Sequence, residues 1–125
     1  MVELDNIAAR DPVLTVKAEI IRIDGAAICE WKRFHEISAE VFGFPDFYGN
    51  NMNAWIDCMA DLRIDSRMSK FLLQPRQMLQ IELLNSKLLR MNTADVFDGL
   101  LAGAAAVNRR FLAAGESAAI YIVFL

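Results

Sequence analysis

At 125 residues with a net charge of −3, the chain has the length of one domain and lacks the basic surplus that phosphate binding requires, so its charge gives no reason to expect direct nucleic-acid binding. Its apolar share of 55% exceeds the roughly 45–50% of ordinary globular chains, so a well-filled core is expected and disorder is not. The longest unbroken apolar run, Ala118 to Leu125, falls far short of the ~18 residues that a membrane span needs.

The first residues carry Glu3 and Asp5 and no basic stretch leading into an apolar core, so no secretory signal is expected and a cytoplasmic location is the default. Asp11-Pro12 marks a boundary. Residues 1–16 read as an N-terminal extension and 17–125 as a single domain. The first strand is expected over 17–23, where Ala18 and Ile20 alternate with Glu19, Ile21 and Ile23, and Asp24-Gly25 ends it as a turn pair. Cys29 and Cys58 are too few for a disulfide framework or a metal site and read as reduced, buried small side chains.

Glu30 to Gly43 follows as a helix, with Trp31, Phe34, Ile37, Ser38, Val41 and Phe42 on one face and Gly43 as its stop. The one histidine, His35, stands at the border of that face and is expected to be a partly exposed structural residue. Next comes Phe44-Pro45-Asp46-Phe47-Tyr48-Gly49-Asn50-Asn51, which cannot sit inside one regular element because it holds both a proline and a glycine. Asn50 or Asn51 can cap the helix after it, since a short amide side chain satisfies the free N–H groups of a first turn. From Met52 the apolar spacing Met52, Trp55, Ile56, Met59, Leu62 is helical. Asn53, Asp57 and Asp61 fall four apart on a second, polar stripe. Small neighbours, Ala54 and Ala60, leave the Asp57 carboxylate free to protrude. Tyr48 and Trp55 are expected in the core; Phe47 stays open between core and surface.

Arg63 to Gln77 has no clear period and reads as a long loop. Leu79 to Leu84 alternates as a second strand, and Lys87 to Met91 is a short helix or a loop. Asn92 or Thr93 then caps a helix running to about Ala113, with Asp95 and Asp98 in its first turns and Gly115 at its end. Gly99 and Gly103 within it point to close packing on the sheet. Ala118 to Phe124 is the third strand, apolar on both faces, as in a covered or central strand. Strands separated by helices imply parallel pairing, hence a compact α/β domain of three-layer type with a small parallel sheet of about three strands packed by helices.

The turn and the helix after it, Phe-Pro-Asp-Phe-Tyr-Gly-Asn-Asn followed by Asn-Ala-Trp-Ile-Asp-Cys-Met, resemble the barstar family of ribonuclease inhibitors. Weaker resemblance, in element order more than in identities, runs through most of residues 18–125. The resemblance implies a three-stranded parallel sheet and no enzymatic activity. It also implies a protein partner, a basic ribonuclease or related nuclease toxin, whose phosphate-binding pocket receives Asp57. Pro45, Tyr48, Gly49 and Asn51 match the family's structural positions. Asn53 stands where the family has an acid, Phe47 where it has a contact tyrosine, Ile56 where it has a tryptophan, and Ala60 and Leu62 where it has a threonine and a tryptophan. The family's acid late in the last helix falls near Arg110 or Ala113. These departures point to a nuclease other than barnase, with a less cationic or differently shaped pocket. The partner-binding set expected from this resemblance is Asp57, Asn53, Phe47, Asn50, Asn51, Ala60, Asp61 and Ile56.

Catalysis finds little support. No phosphate-cradling glycine loop follows a strand, Cys58 has no base beside it, and His35 lies in no acid–base motif. No metal or other cofactor is expected. Two readings therefore compete: an inhibitor that offers Asp57 as a substitute phosphate, and an interaction module of the same fold with a non-nuclease partner. A small enzyme built on His35 and a nearby acid is the third.

Overall fold

Six residues rich in isoleucine, Glu19–Asp24, form strand β1 and turn Ile21 and Ile23 into the core while Ile20 and Arg22 face out. The computed structural model describes residues 18–125, so the N-terminal extension expected over 1–16 lies outside the described residues. Asp24 ends β1 by accepting the Ala26 N–H at 2.9 Å and the Asn85 amide at 2.8 Å; these bonds, the Asn85 one foremost, hold its carboxyl below the usual aspartate value. A 3₁₀ turn, Gly25–Ala27, then packs so tightly that a Cβ on Gly25 would lie 2.9 Å from the Leu84 carbonyl oxygen.

Helix α1 spans Trp31–Phe42 and stops where expected, at Gly43 in the left-handed region (φ 68°). Helix α2, Met52–Met59, is capped by Asn51, whose side-chain oxygen accepts the Ala54 N–H at 2.8 Å. It is one turn shorter than the apolar spacing to Leu62 suggested. After Met59 the N–H groups of Asp61 and Leu62 reach back three residues instead of four, which tightens and ends the helix while Leu62 remains buried. Residues 63–77 are irregular, as expected, with Arg67 and Arg76 at positive φ.

Strand β2, Leu79–Leu84, buries Leu79, Ile81 and Leu83 in strict alternation. Helix α3 follows as Ser86–Asn92 and helix α4 as Ala94–Ala113. Thr93 stands at the N-cap of α4, yet its hydroxyl donates to the Leu89 carbonyl instead of capping. Strand β3, Ile120–Phe124, completes a parallel sheet in the order β1-β2-β3, with Ile21, Ile81 and Ile122 in one row. Among the described residues no helix is long and apolar enough to cross a membrane.

Several local expectations need correction. β3 is an edge strand and not a covered one: Tyr121, on the sheet face shared with the exposed Ile20, is 43% exposed, and Phe124, on the opposite face at the strand's end against Phe97, is 51% exposed. Gly99 and Gly103 do allow close approach, but to helices: a Cβ on Gly99 would fall inside the Trp31 ring, and one on Gly103 would meet Met52 and Trp55. Cys29 is exposed at the end of the 3₁₀ turn, whereas Cys58 is buried as expected. His35 is fully buried, not partly exposed, because aromatic residues of α1 and the following turn close around it.

The irregular 63–77 segment is held by backbone bonds from Lys70 to Phe42 and from Leu73 to Leu62, by the buried Leu73, and by a buried arginine. Arg63 donates to the Gln77, Ser117 and Ala118 carbonyls, meets the Glu116 carboxylate at 3.5 Å, and lies 4.9 Å from the centre of the Phe111 ring. It thereby ties the end of α2 to the segment entering β3.

Candidate functional site

The turn before α2 is built from the inside outward. The Tyr48 N–H donates to the Pro45 carbonyl at 2.9 Å, a β-turn that leaves Asp46 and Phe47 at the exposed corner. The Tyr48 ring turns inward against Phe44, 4.6 Å between centroids, and its hydroxyl lies 2.6 Å from His35 Nδ1. Burial depresses the His35 pKa and, as the largest cause, raises that of Tyr48, so a neutral phenol faces a neutral imidazole. The two share one hydrogen bond, whose direction is set by the imidazole tautomer. Trp31 stacks on the imidazole at 5.8 Å and Phe34 meets it edge-on at 5.1 Å. With Tyr48 anchored, the neighbouring Phe47 ring has no inward room and stands 75% exposed.

Helix α2 presents two faces. Trp55, Cys58 and Met59 are buried, and the Trp55 indole donates to the Ser38 hydroxyl at 3.3 Å. Asn53 and Asp57, four apart, point outward, while Ile56, Ala60 and Asp61 are half-buried beside them. Cys58 is raised in pKa, first by burial and then by Asp57 and Asp61, which leaves a protonated, unreactive thiol. Asp57 is 62% exposed through its side chain and has one partner among the described residues: its Oδ1 accepts from Arg110 Nη1 of α4 at 2.9 Å.

The expected partner-binding residues thus gather on one side of the domain without being equivalent. Asp57, Asn53, Phe47 and Asn50 are exposed, and Asn50 holds the left-handed backbone (φ 54°) that leads into the helix. Asn51 is exposed, but its amide is committed to the cap and to the Gly49 carbonyl at 3.2 Å, so it shapes the face more than it offers contacts. Sequence reasoning missed the pairing of Arg110 with Asp57, and no periodicity marks such a partner 53 residues away.

A cleft of about 270 Å³ lies between Trp31, His35, Asn50, Asn51 and Met52. Among the described residues that line it there is no carboxylate or thiol, and the titratable group nearest His35, in contact with it, is the Tyr48 hydroxyl. Among the described residues no three His, Cys, Asp or Glu side chains are grouped to hold a metal ion.

These features define a small α/β domain whose second helix and preceding turn form an exposed, mixed polar and aromatic face. A family model described as Barstar (barnase inhibitor) matches residues 18–123, nearly all of the described chain, and the protein belongs to that family. No curated protein matches the chain. The fold expected from the resemblance, a three-stranded parallel sheet with helices packed on it, is the fold observed.

Proposed function

We propose that this protein is a non-enzymatic inhibitor of a ribonuclease or related nuclease toxin, and that it blocks the active site with α2 and the turn before it. The observation that carries this reading is Asp57: a carboxylate more than half exposed, on a short helix whose entry is pinned by the buried Tyr48–His35 contact. A nuclease pocket positions Arg, Lys and His around a phosphate, and a carboxylate in that place makes charge-assisted hydrogen bonds to the same groups. The exposed Phe47 ring supplies an apolar anchor beside it, with Asn50 and Asn53 offering neutral hydrogen bonds at its edge. Membership of an inhibitor family supports the reading.

Co-expression with barnase-type ribonuclease toxins tests it. Cells making the wild-type chain survive at least one such toxin, and cells making Asp57→Ala do not. Equal protection by both forms refutes the role given to Asp57.

A second reading, a family fold recruited to a non-nuclease partner, is favoured by the same ion pair, because Arg110 already neutralises the acid. Affinity capture separates the two by whether the recovered protein cleaves RNA.

A further inference from the structure

The pair formed by Asp57 and Arg110 is open at both ends. Asp57 Oδ2 has no partner among the described residues, and Arg110 uses one nitrogen of its guanidinium fork on Asp57 while 55% of its side chain is exposed. Arg110 sits in the last turn of α4, so its backbone cannot retreat from the face even if the side chain swings aside. A cation that approaches Asp57 therefore arrives within a Debye length, about 8 Å, of a resident positive charge. Like charges brought together at an interface oppose binding, whereas the free part of the fork matches a carboxylate.

We propose that Arg110 is a specificity-determining residue of the docking face. Asp57 and Arg110 act as one charge couple, which admits a ribonuclease whose pocket carries a carboxylate next to its cations and disfavours a pocket lined by cations alone. The inference rests on the inhibitor reading above and adds the chemistry of the partner. It also accounts for an otherwise unhelpful arrangement, in which a carboxylate meant for an outside cation keeps one of its own.

The test uses two barnase-type ribonucleases, one with only Lys, Arg and His around its phosphate site and one with an Asp or Glu among them. RNA-cleavage inhibition is titrated with wild type, Arg110→Ala, Arg110→Glu and Asp57→Ala, each checked for a cooperative melting transition well above the assay temperature. Arg110→Glu is expected to tighten inhibition of the all-cationic enzyme by about tenfold or more and to weaken inhibition of the mixed-charge enzyme by a similar factor, with Arg110→Ala between. Asp57→Ala weakens both. If the Arg110 variants shift both enzymes alike or neither, while Asp57→Ala still weakens them, the specificity role fails and the inhibitor reading stands. If Asp57→Ala changes nothing, or no form inhibits either enzyme, both fall.

Discussion

Replacing Asp57 with alanine separates stability from affinity, and the structure sets the size of each. The folded protein loses one ion pair at 2.9 Å whose two side chains are more than half exposed. Pairs of that kind contribute at most about 1 kcal/mol, and alanine returns roughly half of that through its better helix propensity. The melting temperature should therefore move by no more than about 4 °C. In a complex the same carboxylate would be desolvated against guanidinium or ammonium groups, where truncation costs about 2–5 kcal/mol, or roughly thirtyfold to several thousandfold in Kd. Thermal melts followed by circular dichroism measure the first quantity, and stopped-flow association and dissociation with an inhibited ribonuclease measure the second. Asp57→Asn serves as the control that keeps shape and removes charge. If Asp57→Ala loses as much stability as affinity, Asp57 is a structural acid and the docking argument is wrong.

Three further outcomes follow from contacts inside the fold. Gly99→Ala places a methyl group in the Trp31 ring, which is tethered by its indole N–H to Asp95 at 3.0 Å; overpacking outweighs the gain in helix propensity, and urea unfolding should show a net loss of about 1–2 kcal/mol. Arg63→Met leaves the Gln77, Ser117 and Ala118 carbonyls without this donor and should cost about 3–5 kcal/mol in the same assay, whereas a mere surface arginine would cost almost nothing. His35 is held below the ordinary imidazole value of 6.5 by burial, so the unfolded chain binds the proton more readily. Its contribution is complete above pH 6.5 and is lost as pH falls through the lower folded value. Denaturation midpoints should accordingly drop on that acidic side, and His35→Gln should flatten the drop.

Much of the fold is legible in the residues because its elements obey local rules. Leu79, Ile81 and Leu83 alternate and are buried in alternation; Gly43 stops α1 and Asn51 starts α2 by cap chemistry that needs no tertiary partner. The errors occur where a neighbour decides. An apolar β3 looks central from its own residues, yet sheet order depends on where the chain returns, and it returns to the edge. Gly99 and Gly103 announce a close approach without saying to what, and the answer is a tryptophan in each of two helices. His35 looks like a residue at the border of an amphipathic helix until the Tyr48 hydroxyl and the Trp31 ring enclose it.

The candidate site divides along the same line. Helical spacing correctly sends Asn53 and Asp57 outward and Trp55 and Met59 inward, since the period depends only on α2 itself. The exposure of Phe47 needs one more step, because it follows from Tyr48 taking the inward position of the turn, and Tyr48 takes it to reach His35 thirteen residues earlier. Arg110 needs the whole fold. In the sequence it is a cation in the last turn of a long helix, a position the helix dipole favours on its own. Only the packing of α4 against α2, made close by Gly103 beneath Trp55, brings that cation to Asp57. A glycine in one helix thus governs the charge presented by another. Enlarging Gly103 should push the two helices apart and loosen the Arg110 contact without altering any residue of the docking face.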